Sequence, residues 1–251
     1  MGSDTLVKLQ CGSVEFAAIE AVIFDKDGTL ADSQRFLRNL GQKRARLLDA
    51  QVPGVEAPLL LAFGLEQDRL NPAGLLAVGT REENEIAAAA YIAETGRDWI
   101  EALAMARSAF TEADLLFQRK ADETPLFAGM VDLLTRLAKA NIQIGIISSD
   151  SPANVQDFVK RYELEALIAV AIGSEPGLSK PDPALLHKAC ETFGICPQAT
   201  LIIGDSPSDI ELARSAGAAG CVGVAWGWST RVELSRANAV IQSSSEIRVV
   251  D

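Results

Sequence analysis

The chain has 251 residues, enough for one large domain or two modest ones, and 48% of them are hydrophobic, so a sizeable core can be buried. A formal charge of −11 and a pI of about 4.7 argue against a nucleic-acid binder, which needs a basic face, and against electrostatic docking on an anionic membrane. An acidic chain can still hold an anion where local cations or helix N-termini reverse the field.

The opening residues LVKLQ and VEF, split by Cys11-Gly12-Ser13, predict a short hairpin. AVIFD (21–25) follows as a buried strand, short and apolar and ending in a turn signal. From about Ser33 to Asp122 the chain is rich in Ala, Leu, Glu and Arg, which predicts a helical block. Within it Phe36, Leu40, Leu47 and Leu48 recur at helical spacing. Thr80 and Glu83 form a capping box, Gly96 is a stop, and Asp98 with Glu101 is a second cap pair. The four alanines at 87–90 suit close helix packing, and the basic cluster Arg35, Arg38, Lys43, Arg44 and Arg46 is expected to be a solvated helix face.

From about Glu123 helices and strands alternate. The expected helices are MVDLLTRLAKAN, SPANVQDFVKRYEL, PALLHKACETFGI and SDIELARSAG; the expected strands are IQIGIISSD, IAVAI, TLIIGD and CVGVAWG. Repeated βα pairs with apolar strands imply a parallel sheet covered on both faces. The predicted architecture is an α/β, Rossmann-like core built from residues 1–33 and 123–251, interrupted by a helical domain at 34–122.

In such a sheet ligands bind beyond the carboxyl ends of the strands. There the first core strand ends in Asp25-Lys26-Asp27, the next in Ser148-Ser149-Asp150, and another in Gly204-Asp205-Ser206 with Asp209 one turn on. Leu178-Ser179-Lys180-Pro181-Asp182 lies in a loop between the last two. Strand alternation puts Asp25 and Asp27 on one side and Lys26 on the other. Converging carboxylates repel, and a divalent cation relieves them; oxygen ligands alone suit Mg²⁺. One carboxylate beside the ion can act as a nucleophile, a second can move a proton, and a lysine with serine hydroxyls can hold phosphate oxygens.

These residues give the chain its resemblance to the haloacid dehalogenase-like superfamily, in its phosphatase branch. DKDGTL resembles the first family motif, the serine of IISSD the second, SKPDP the third and GDSPSD the fourth, in family order. The helical insert resembles the family's C1 cap, and VAWGWSTRVEL is similar to a segment of phosphoglycolate-phosphatase-like members. The resemblance implies an Mg²⁺-dependent phosphatase that hydrolyses a small phosphomonoester through an aspartyl-phosphate. Asp25 would be the nucleophile and Asp27 the general acid and then base. Asp25, Asp205 and the backbone carbonyl of Asp27 would hold Mg²⁺, and Asp209 would steady the metal's water shell or the lysine. Ser148 and the Ser149 backbone N–H would bind phosphoryl oxygens, and Lys180 would neutralise charge at the nucleophile.

Two residues depart from the family pattern. Lys26 replaces the commoner apolar residue and is expected to pack away from the metal, against an acidic neighbour. Asp150 stands where a neutral or basic residue is common. A cap would select the substrate, with Arg81 the first residue to test as a contact, although a capping-box arginine in solvent is an equal expectation. Ser148 is open to a second role as a helix N-cap. Trp226 and Trp228 are expected to pack, and His187, the one histidine, is expected to be structural.

Alternative functions are a sugar-phosphate mutase of the β-phosphoglucomutase kind and a non-catalytic binding protein with the same fold. Dehalogenation does without the second aspartate, which is present here. Cys11, Cys190, Cys196 and Cys221 are scattered without a CxxC, as reduced cytoplasmic thiols would be. No secretory signal, myristoylation pattern or apolar run of ~20 residues stands in the sequence. The expected partner is a small phosphorylated metabolite, with no nucleic acid and no membrane.

Overall fold

The computed structural model describes residues 7–67, 69–117 and 119–250. Its backbone forms two compact units, one of residues 33–123 and one of the segments before and after them.

The larger unit is built on six parallel strands in the spatial order Ala239–Ile241, Gly220–Val224, Thr200–Gly204, Ala21–Phe24, Gln143–Ile147, Val170–Ile172. Three of the four inner strands are buried throughout because both faces are covered: every residue of AVIF, TLIIG and GCVGV is buried. From Ala21–Phe24 the chain steps outward to Gln143–Ile147 and Val170–Ile172. It then returns to add Thr200–Gly204 on the opposite side of Ala21–Phe24. Right-handed crossovers in opposite directions put their helices on opposite faces. Met130–Lys139 and Pro152–Arg161 belong to the outward steps. Ala184–Phe193 and Pro207–Ser215 belong to the return, and bury Leu185, Leu186, Ala189, Ile210 and Ala213 against Ala21, Ile23 and Ile202.

The reversal falls between Ala21–Phe24 and Thr200–Gly204, so the switch point of the sheet lies at their carboxyl ends. The expected hairpin is present as Lys8–Cys11 paired antiparallel with Val14–Phe16, while Leu6 lies outside the described residues. Ile247–Val250 adds a third strand on the other side of Lys8–Cys11, which the sequence reading did not anticipate.

In the helical unit the main helices are Gln34–Asp49, Glu56–Phe63, Arg81–Glu94 and Trp99–Leu115. The Thr80 capping box is closed in both directions, and Asp98 accepts the Glu101 backbone N–H at 2.9 Å. Ala88 and Ala89 are fully buried, as are Ala102, Ala106 and Ala109 on the following helix.

One expectation is corrected here. Arg44 is not part of a solvated face: it is buried, its guanidinium 4.2 Å from the Phe110 ring centroid and 3.2 Å from Asp114. It is on the apolar stripe with Leu37, Leu40 and Leu48, whereas Arg35 and Arg46 are exposed.

Candidate active site

Asp25 follows Ala21–Phe24, and its N–H donates to the Ile203 carbonyl at 2.9 Å, which extends the ladder one residue past the strand. Asp205 follows Thr200–Gly204. The switch point therefore brings these two carboxylates side by side. Asp209 joins them from the first turn of Pro207–Ser215, where Ser206 is the N-cap and exchanges a capping box with it. The three carboxylates offer oxygens within 4.8 Å of one another, and all three residues are buried.

Lys180 reaches into this group. Its Nζ is 2.5 Å from Asp25 Oδ1 and 2.8 Å from Asp209 Oδ1, and its side chain is almost wholly buried. Three carboxylates against one ammonium leave an excess of negative charge away from water. Burial, reinforced by the charges of Asp209 and Asp27 and opposed by Lys180, pushes the Asp25 carboxyl up to about 6. Burial, then the charges of Asp25 and Asp209, hold Asp205 well above the usual carboxylate range, although hydrogen bonds from Thr29 and Trp228 pull it down. Burial works against the Lys180 ammonium, but Asp209 and Asp25 outweigh it and raise its affinity for the proton. A dense, all-oxygen donor set with excess negative charge fits a hard divalent cation such as Mg²⁺.

The strand carrying the second motif, Gln143–Ile147, is the other neighbour of Ala21–Phe24, so Ser148 stands at the same edge. Ser148 is buried, and its hydroxyl oxygen accepts the Asp150 N–H at 3.2 Å. The helix after it is capped by Ser151, which accepts the Asn154 N–H, so Ser148 is not that helix's N-cap. Ser149 is half-buried beside it.

The strand itself ends at Phe24, before the DKD run. Beyond it the Lys26 carbonyl accepts the N–H groups of Thr29, Leu30 and Ala31, a tight turn. Lys26 is buried with its ammonium 2.7 Å from Asp27 Oδ1 and 3.2 Å from Asp150 Oδ2, so it does meet acidic neighbours. Arg81 belongs to the helical unit, where Glu85, Asp114 and Thr111 hold its guanidinium.

Three residues were not anticipated. Thr29 Oγ1 donates to Asp205 Oδ1 at 2.7 Å, and Trp228 Nε1 donates to Asp205 Oδ2 at 2.5 Å. Trp226 Nε1 donates to the Thr29 carbonyl at 3.0 Å, so neither tryptophan only packs. Thr29 was visible inside the DKDGT run, whereas an indole 23 residues after Asp205 carries no local signal. Gly28 makes room for this arrangement. Its φ is +84°, and a Cβ there would lie 2.6 Å from both Asp205 Oδ2 and the Trp228 ring.

The chain is similar to known proteins. The family model described as haloacid dehalogenase-like hydrolase matches residues 19–217. An N-acetylmuramic acid 6-phosphate phosphatase of Pseudomonas putida is 30% identical over 201 residues, 79% of this chain and 80% of that one. A phosphoglycolate phosphatase of Escherichia coli is 28% identical over 239 residues, 93% of this chain and 92% of that one. A solved hydrolase of the haloacid dehalogenase-like family from Streptococcus pneumoniae shares the fold with a TM-score of 0.62 at 22% identity, covering 91% of this chain and 96% of that one.

Proposed function

The chain belongs to the haloacid dehalogenase-like hydrolases, and from that premise we propose that it is an Mg²⁺-dependent phosphatase that cleaves a small phosphomonoester through an aspartyl-phosphate on Asp25. The observation that supports this most is the buried group Asp25, Asp205 and Asp209 around Lys180, with more negative charge than one lysine can balance.

Asp25, Asp205 and the backbone carbonyl of Asp27 would hold the ion, with Asp209 keeping Lys180 and the ion's surroundings in place. When bound, Mg²⁺ supplies positive charge for the carboxylates and the phosphoryl oxygens. Lys180 fixes Asp25 by one oxygen and offers its ammonium to the charge that gathers around phosphorus. Ser148 and the Ser149 backbone N–H donate to the phosphoryl oxygens. A carboxylate oxygen of Asp25 attacks phosphorus; its bond to phosphorus forms as the bond to the ester oxygen breaks. Asp27 gives a proton to the departing alcohol. Water then attacks the same phosphorus, returns a proton to Asp27, and inorganic phosphate leaves with Asp25 a carboxylate again. Oriented donors and charge do most of the work that phosphoryl transfer requires.

The helical unit is the cap in this reading, and Arg81 is the residue in it to test first for substrate contact. A small metabolite in a reducing cytoplasm suits the chain's four unpaired cysteines, and among the described residues no helix is long and apolar enough to cross a membrane.

The test is release of inorganic phosphate from a metabolite panel that includes phosphoglycolate and N-acetylmuramic acid 6-phosphate, with Mg²⁺ or with EDTA. Release that needs Mg²⁺ and falls by orders of magnitude in Asp25→Asn is the expected result. Equal rates in wild type and Asp25→Asn would refute the proposal, and isomerised product without phosphate release would point to a mutase.

A further inference from the structure

The two departures from the family pattern meet in space. Lys26 Nζ lies 2.7 Å from Asp27 Oδ1, 3.2 Å from Asp150 Oδ2 and 5.4 Å from the centroid of the Phe158 ring. Its side chain is 1% exposed. Asp150 is itself fixed: Oδ1 accepts the Asn154 side-chain amide at 2.7 Å and the Ser151 N–H at 3.1 Å, and its carbonyl accepts the Ser174 N–H at 2.8 Å. An ammonium this deep is tolerable only while its partners stay in place, so the lysine has little rotamer freedom. The row Asn154, Asp150, Lys26, Asp27 thus ties a helix N-terminus to the second aspartate of the DKD turn.

We infer that Lys26, anchored by Asp150, is a positioning residue for Asp27: it grips Oδ1 and aims the carboxyl group at the leaving oxygen. The inference rests on the proposed role of Asp27 as the acid that protonates the departing alcohol. A buried ion pair that merely fills the core would leave that step untouched.

The dependence on leaving group separates the two. p-Nitrophenolate departs without a proton, whereas an alkoxide needs one. kcat/KM covers only the steps up to transfer of the phosphoryl group to Asp25, so the later water attack does not enter. Lys26→Met keeps the stem against Phe158 and removes the charge.

General acid catalysis contributes about 10²- to 10⁴-fold, and misaiming the acid forfeits part of it. The expected result is therefore that Lys26→Met lowers kcat/KM for an alkyl phosphomonoester about 10-fold or more beyond its effect on p-nitrophenyl phosphate. Asp150→Asn moves the same ratio in the same direction by less. The double variant is no worse than Lys26→Met alone, because both act through one contact.

Equal losses on both esters, additive losses, or no loss would overturn the inference. If Lys26→Met lacks native near-ultraviolet circular dichroism, the same ratio in Asp150→Asn decides. Wild-type protein that cleaves neither ester would bring down the phosphatase reading and this inference together. Active wild type with an unchanged ratio in the variants brings down this inference alone.

Discussion

Asp205 is held by two donors, Thr29 Oγ1 on one oxygen and Trp228 Nε1 on the other. Groups that orient a metal-binding carboxylate typically change metal affinity by about 10- to 100-fold when removed. Trp228→Phe keeps an aromatic ring and loses the N–H, so it is expected to weaken Mg²⁺ binding about 10-fold in calorimetric titration; unchanged affinity would show that the N–H does not orient Asp205. Gly28→Ala should do worse, since its methyl meets Asp205 and Trp228 at 2.6 Å in a backbone conformation that alanine resists. Loss of both Mg²⁺ binding and phosphate release in a folded Gly28→Ala is expected, and wild-type kinetics would contradict it. Asp25, Asp205 and Ser148 were legible because polar residues at the ends of apolar strands have few structural reasons to be there, and Lys180 because the SKPDP run resembles a family motif. The Trp228 contact was not legible, because an aromatic residue before Ser-Thr looks the same whether its N–H meets solvent or a carboxylate. Lys26 was half-legible: its acidic company was foreseen, but not that Asp150 supplies part of it.

At the scale of elements, the helical unit is stapled by charge. Asp114 on Trp99–Leu115 receives Arg44 from Gln34–Asp49 and Arg81 from Arg81–Glu94, and Glu85 receives Arg81 and Arg107. Arg44 is the costly member, for it is buried and its Nε finds no hydrogen-bond partner. Burial lowers its proton affinity more than Asp114 restores it. Asp114 keeps Arg81 if Arg44 is removed. Arg44→Met is therefore expected to change unfolding free energy by less than about 1 kcal/mol, or to stabilise, in urea titration. A loss of about 3 kcal/mol or more would mean that Arg81 alone does not compensate the Asp114 charge. The sequence reading put Arg44 in water because five basic residues in one helix look like a polar face; only the pairing of helices shows that one of them points inward. The parallel strands were legible as uninterrupted apolar runs. Ile247–Val250 was not, because its partner Lys8–Cys11 lies at the other end of the chain and no local pattern records a pairing that distant.

For the whole molecule, the carboxylate group contributes to how stability follows pH. Burial raises the Asp25 carboxyl from its ordinary 3.8 to about 6 in the fold. The folded chain therefore holds this proton more tightly than the unfolded chain. Its contribution is most favourable below about pH 4 and is lost as pH rises through about 6. Asp205 is raised too and acts in the same direction. Lys180 stays charged throughout this range in both states, since its proton affinity is raised. A divalent ion cancels the cost at high pH. Mg²⁺ is thus expected to raise the melting temperature more at pH 8 than at pH 5, relative to EDTA, in differential scanning fluorimetry. An equal or larger shift at pH 5 would show that these carboxylates are not where the ion binds.

Asp25 is proposed to take the phosphoryl group while the acidic group around it holds Mg²⁺. The direct measurement is acid quench during turnover, borohydride reduction of any acyl phosphate, and peptide mass spectrometry. Residue 25 alone is expected to be converted to homoserine, only when Mg²⁺ and substrate are both present. Phosphate release that continues at full rate with residue 25 unmodified, or in EDTA, would contradict it.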